Sequence, residues 1–227
     1  AGLRDGSVVT VTRVADIRGR ISPEDIEIET SHTPQFAPGS VLKGFVTQTE
    51  QLVAIKTVQV EAESKREMVL NSLRALMSSE LCPNHVSCFA AFVQKRTKVL
   101  VVLEFMDQGS MADLKKRLTG GGVPEPHLSC ITCQVMAGLL ALHTQKLLHK
   151  NIKPENILHN AAGEVKLTDF GIDDDGIDTE AMGRCIVGQY VTYMSPERCM
   201  GEEFDLASDI WSVGMVIYEL VTGRYPF

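Results

Sequence analysis

Apolar residues fall into distinct regimes along the chain. From Phe36 to Phe105 they gather in short runs rich in β-branched and aromatic residues: VLKGFV, QLVAIKTVQV, CFAAFV and KVLVVLEFM. Such runs predict strands. Between the second and third lies EAESKREMVLNSLRALMSS, whose Val69, Leu73, Leu76 and Met77 follow helical spacing opposite a polar face. One helix among antiparallel strands predicts a small α+β lobe. After Gly109 the pattern turns helical, with MADLKKRL as a short helix and Pro126 to Gln145 as a longer one. Short strands are predicted around Ile157-Leu158 and Val165-Leu167, and a long loop from about Gly171 to Met194. ASDIWSVGMVIYELVTG then reads as an apolar core helix. Residues 1–35 are less regular: SVVTVTRV alternates, and ISPEDIEIETSHTPQ is acidic and turn-rich. A loosely attached extension is the favoured reading there, with a docking segment or an added strand as alternatives.

Composition narrows the classes. A formal charge of −7 argues against a nucleic-acid partner. No apolar run approaches membrane-spanning length and no signal pattern is visible, so a soluble, cytoplasmic protein without a membrane partner is expected. Six cysteines in 227 residues do not make a disulfide framework. Cys130 and Cys133 have CxxC spacing, but they lie in a helical pattern with no second pair to complete a zinc site. They read as ordinary helix cysteines.

Five motifs carry chemistry, and their order matters more than any one of them. VAIK ends at Lys56 on a predicted strand, and HKNIKPEN spans His149 to Asn156. Asp169-Phe170-Gly171 follows a short strand, Ser195-Pro196-Glu197 comes next, and Asp209-Ile210-Trp211 opens the core helix. This series resembles the signature set of eukaryotic protein kinases across residues 36–227. MDQGSM, IVGQYVTYMSPER and TGRYPF are similar to the MAP kinase kinases, dual-specificity enzymes acting on MAP kinases. The resemblance implies a bilobal α+β fold, with an antiparallel sheet and one main helix over residues 36–105. A mainly helical lobe over residues 106–227 would be incomplete, because the family continues with further helices, including an Arg partner for Glu197. Exposed apolar surface near Phe227 is therefore expected.

Roles follow by resemblance. ATP and Mg²⁺ are the implied cofactors, because phosphoryl transfer rests on positioning and charge neutralisation. Lys56 would pair with the α- and β-phosphates, Asn156 and Asp169 would hold Mg²⁺, and Lys153 would face the γ-phosphate. Gly39 and Gly44 would belong to the glycine loop. Val46, Ala54 and Leu158 would enclose adenine, with Leu103 as gatekeeper and backbone contacts from Glu104 and Met106. Thr179 aligns with a regulatory phosphosite. The implied partners are a MAP kinase and an upstream kinase or scaffold.

The departures from the pattern share a direction. Asn151 stands where the family has its catalytic Asp, and an amide is a poor base. Val41 replaces the middle glycine if Gly39 and Gly44 are laid on the loop. The helix supplies Ser72 or Leu73 where a Glu partner for Lys56 belongs, with Glu67 more than a turn away. Gln189 replaces a small Thr, unless Thr192 substitutes after a slip. Lys150 replaces an Arg and lacks its bidentate fork. The leading reading is an impaired MAP-kinase-kinase-like domain that still binds Mg²⁺–ATP. A working kinase with Asn151 engineered or tolerated, and an interaction module without nucleotide, are the alternatives.

Overall fold

The computed structural model describes residues 21–29, 41–60, 82–94, 98–118, 121–169 and 192–227, with Val69 and Leu73 between them. The chain divides into two units, residues 1–81 with 86–105 and residues 82–85 with 106–227.

The first unit is a five-stranded antiparallel sheet. Its strands are β1 (Ile26–Ile28), β2 (Val41–Val46), β3 (Gln51–Gln59), β4 (Cys88–Gln94) and β5 (Lys98–Glu104), in the order β1-β2-β3-β5-β4. Four of the five are the runs that alternation and β-branching predict. Directly opposed residues share a face, so the register sorts the side chains. Gly44 opposes Val53, Leu42 opposes Ile55, and Ile55 opposes Val102. These residues pack on one face with Val46, Ile26, Phe92 and Leu100. The other face carries Val41 opposite Lys56, Lys43 opposite Ala54, and Ala54 opposite Leu103. Val69 and Leu73 are helical, four apart and fully buried, as the predicted helix requires. The other residues of that helix, among them Glu67 and Ser72, lie outside the described residues.

Residues 21–29 carry the added strand that is among the alternatives for residues 1–35. β1 pairs with β2 along Ile26 to Ile28, and Ile21 and Ile26 are buried in the sheet core. A 3₁₀ turn sets the entry: the Ser22 amide donates to Asp25 Oδ2 at 2.7 Å, and Thr47 N–H donates to the Asp25 carbonyl at 2.8 Å. Gly44 belongs to this contact. A Cβ there would stand 2.7 Å from the Glu27 carbonyl and 2.8 Å from Ile55 Cδ1, so only glycine lets β1 and β2 approach.

The second unit contains α1 (Met111–Arg117), α2 (Glu125–Thr144), β6 (Ile157–His159), β7 (Val165–Leu167), α3 (Pro196–Cys199) and α4 (Ala207–Thr222). Ser110 starts α1 with a capping box: its Oγ accepts from the Asp113 amide, and Asp113 Oδ2 accepts from the Ser110 amide. α2 buries Leu128, Ile131, Val135, Leu139 and Leu142, and Gly138 lets Leu167 and the Asn84 carbonyl approach closely. α4 ends at Gly223, whose φ of +71° makes a left-handed cap. Ile210, Trp211, Tyr218 and Val221 of α4 and Phe227 are exposed.

One expectation about membranes is corrected. α2 has the length and apolarity of a membrane-crossing helix, with a mean hydropathy of 1.2 over its window. Its apolar stripe is committed to this unit, where it packs on β7 and α4.

Candidate functional site

In the first unit, Lys56 sits on β3 between Val41 and Val101 and is 5% exposed. A cation so deeply placed is held only where its charge is met. Ala54 lies two residues earlier on the same face, opposite Leu103. The expectation that Gly44 and Val46 join this face is corrected by the register. Both point to the opposite side, and Val46 is packed among Ile26, Val53 and Ile55. The residue that shares the Lys56 face is Val41, 59% exposed and directly opposite Lys56. Glu104 commits its backbone N–H to the Ser87 carbonyl at 2.9 Å and its Oε2 to the Ser87 amide at 3.1 Å.

In the second unit, Met106 is buried, and its carbonyl accepts from the Gly109 amide at 3.2 Å. That leaves its N–H for a ligand. Leu158 is half-buried on β6, opposite Lys166 of β7 and bridged to Ser110.

The loop from His149 to Asn156 is built around a carboxylate. Asp209, at the start of α4 and 1% exposed, accepts from the His149 amide at 2.8 Å and the Lys150 amide at 2.9 Å. His143 Nε2 lies 2.9 Å from the same carboxylate. These bonds fold the chain sharply, and Lys150 adopts φ +65° to make the turn. A non-glycine residue there costs about 1 kcal/mol or more, which the surrounding bonds must offset. His149 is fully buried, and its Nδ1 accepts from the Asn151 amide at 3.3 Å. Burial pushes its imidazole down to about 4, against the opposing pull of the Asp209 charge. It is therefore neutral at pH 7, the state in which Nδ1 can accept.

Asn151 and Asn156 are joined directly: Asn156 Nδ2 donates to the Asn151 carbonyl at 2.8 Å. With its amino group committed, Asn156 has its Oδ1 to offer, a hard oxygen suited to Mg²⁺. Asp169 is brought to the same place, because the amide of the preceding Thr168 donates to the Asn156 carbonyl at 3.0 Å. Asp169 is half-buried with φ +65°, a second left-handed non-glycine residue. An amide oxygen and a carboxylate held on adjoining segments fit a magnesium–nucleotide complex in donor type. Lys153 precedes the 3₁₀ turn Pro154–Asn156 and is tied to it by Asn156 N–H at 2.9 Å. A cavity of about 30 Å³ beside Asn151 is lined by Lys150, Lys153, Tyr193, Arg198 and Ser212.

Gly39, Thr179 and Gln189 lie outside the described residues. Some contributors went unrecognised from sequence. Arg198 Nη1 donates to the Lys150 carbonyl at 2.7 Å, and Glu219, 4% exposed, binds both Lys115 and the Tyr193 hydroxyl. Arg198 follows the SPE motif and Glu219 lies deep in the core helix, where a charge needs a partner. That out-of-place charge was the only signal available.

Comparison with known proteins shows the family. The profile of the protein kinase domain matches residues 37–227. The chain is 42% identical over 181 residues to mitogen-activated protein kinase kinase 1 of Arabidopsis thaliana, covering 79% of this chain and 50% of that protein. It is 34% identical over 221 residues to mitogen-activated protein kinase kinase 1c of Physcomitrium patens, covering 96% and 62%. Mitogen-activated protein kinase kinase 5 of Leishmania mexicana is 34% identical over 237 residues, covering 100% and 44%. The chain thus spans about half the length of the curated relatives it matches. With its antiparallel sheet unit, its mainly helical unit and the loop organised by Asp209, the chain belongs to the protein kinase family and is similar to the MAP kinase kinases.

Proposed function

We propose that this chain is the kinase domain of a MAP-kinase-kinase-like protein that binds Mg²⁺–ATP and transfers phosphate poorly. The observation that carries the reading is the bond from Asn156 Nδ2 to the Asn151 carbonyl within a loop held by Asp209. The scaffold and the metal-facing oxygen are retained, while the side chain at the base position is an amide. Bound ATP would supply the phosphoryl group, and Mg²⁺ would neutralise its charge. Lys56, Asn156 and Asp169 are the residues proposed to hold them, with Ala54, Leu158, Val41, Glu104 and Met106 around the base. Val41 takes the place first expected of Val46, because it shares the face of Ala54 and Lys56.

Losing a general base costs about 10²–10⁴-fold in rate, so positioning alone would leave a residual activity. A MAP kinase is the proposed partner, with an upstream kinase or scaffold, by analogy with the relatives' names. A reducing, cytoplasmic setting is supported by the free thiols of Cys82, Cys88, Cys130, Cys133 and Cys199. The test is a thermal shift with Mg²⁺–ATP, with Asp169→Ala as control, together with phosphotransfer by the chain and by Asn151→Asp. We expect a shift that Asp169→Ala abolishes, and transfer that rises about 10²-fold or more in Asn151→Asp. No shift at millimolar Mg²⁺–ATP, or robust transfer by the unaltered chain, would overturn the reading.

A further inference from the structure

The kinase reading makes no use of Cys130 and Cys133. Both are exposed free thiols on α2, and neither contributes to the buried stripe from Leu128 to Leu142. Cysteine is among the residue types most often buried, so two exposed on one helix call for a reason other than packing. They stand three apart, and helix residues so spaced are surface neighbours with Cβ atoms about 5–6 Å apart. A disulfide needs Cβ atoms about 3.5–4.5 Å apart, so closing one here would distort the helix that carries the core. A single ion between the sulfurs removes that conflict. With about 2.3 Å to each thiolate, it lets the two sulfurs lie as much as about 4.6 Å apart. Among the described residues, no His, Cys, Asp or Glu completes a group of three that could hold a metal ion. The donors in place therefore suit an ion that accepts two thiolates rather than tetrahedral zinc, which takes four ligands.

We propose that Cys130 and Cys133 form a two-thiolate site for a soft, thiophilic ion of low coordination number, of the trivalent arsenic class. Soft sulfur donors discriminate against a hard ion such as Mg²⁺, which Asn156 and Asp169 are proposed to take, so the two sites do not compete. The helix holds the pair on one face, so the second sulfur acts at high effective concentration once the first has bound. Bridging them staples one turn of α2 on its outer side and leaves the buried stripe in place. At about 1.5 Å rise per residue, Cys133 lies roughly 15 Å along α2 from His143, whose ring meets Asp209. The exchange with an organic arsenic(III) oxide balances without redox. Each thiol gives its proton to the arsenic-bound oxygen, the oxygen leaves as water, and two As–S bonds replace the As–O bond.

The test is independent of the nucleotide reading. Phenylarsine oxide is added to the reduced full chain, and the thiols that remain free are titrated. One arsenical should protect two thiols, and the unfolding midpoint should rise with its concentration. Cys130→Ser and Cys133→Ser should each weaken binding about a hundredfold, because a single thiol loses the second ligand. Cys199→Ser removes an exposed thiol elsewhere and should leave the affinity unchanged. Should either serine variant unfold, its alanine counterpart, a better helix former, takes its place. An affinity unmoved by substitution at both positions would overturn the site. Oxidised glutathione provides the second arm. Mixed disulfides with glutathione at Cys130 or Cys133 are expected. A disulfide closed between the two, found by peptide mapping, would overturn the spacing argument and assign the pair to redox chemistry instead.

Discussion

Replacing Asp209 by alanine removes the carboxylate on which the His149–Asn156 loop is folded. Three donors lose their acceptor: the amides of His149 and Lys150, at 2.8 and 2.9 Å, and His143 Nε2 at 2.9 Å. His143 is partly solvent-accessible and can turn to water, but the His149 amide belongs to a fully buried residue. A buried donor left without a partner costs about 1–3 kcal/mol, and hydrogen bonds to charged groups contribute about 1.5–3 kcal/mol. Relief of the buried charge's own desolvation offsets part of this. The expected loss is about 3–5 kcal/mol, a large share of an ordinary domain's stability. At 2–4 °C per kcal/mol, the melting midpoint should fall by roughly 6–20 °C. Asp209→Asn keeps one acceptor oxygen but sets an amino group against an N–H, so it should lose somewhat less. The assay is urea unfolding followed by Trp211, the single tryptophan, which lies two residues from Asp209 and reports on the second unit. Far-UV circular dichroism provides a second probe. An Asp209→Ala variant within about 1 kcal/mol of the parent, with an unchanged denaturant slope, would refute the argument.

Other consequences can be tested alongside. The His149 imidazole titrates near 4 when folded and near 6.5 when unfolded, so the unfolded state binds the extra proton between those values. Its contribution is complete above about pH 6.5 and is lost as pH falls towards 4. Acidifying from pH 7.5 to 5 should cost about 2 kcal/mol, and buried His85, also shifted down by burial, adds to it with the same sign. Urea titrations across that range should show the slope, and a flat profile would contradict it. Gly44→Ala should destabilise the sheet by about 1–3 kcal/mol through the clash with Glu27 and Ile55, leaving nucleotide affinity unchanged in the folded protein. Val41→Asp should do the reverse, with little effect on unfolding and a several-fold weaker Mg²⁺–ATP affinity by calorimetry. Ser110→Ala should cost about 1 kcal/mol by removing the α1 cap, measured by chemical denaturation.

Much of this architecture could be read from the chain because its local signals agree with its packing. The runs VLKGFV, CFAAFV and KVLVVLEFM became strands, and the helical stripe from Leu128 to Leu142 became part of α2. The ordered motifs fixed the family. What the sequence could not supply was parity. Gly44 and Val46 sit two apart, as a glycine loop and its following valine would, but which face they occupy depends on the turn Thr47–Glu50 and the register beyond it. A shift of one residue exchanges the faces. For β1 an added strand is only one of the alternatives the sequence offers, because three residues within an acidic stretch carry too little periodicity to decide pairing. The charges of Arg198 and Glu219 have meaning only once distant segments meet. Nothing local announces a bond across 48 or 104 positions.

Residues 82–85 lie between stretches of the first unit yet belong to the second. Asn84 donates its side-chain amide to the Val165 carbonyl and accepts the Leu167 amide at its own carbonyl, while His85 reaches the Gly138 carbonyl at 2.8 Å. Neither unit is therefore a continuous stretch of sequence. A cut between Phe105 and Met106 would deprive the helical unit of a four-residue graft that completes its small sheet. During synthesis β6 and β7 await that graft from chain made much earlier, so their closure is a long-range event that neighbouring sequence alone cannot accomplish.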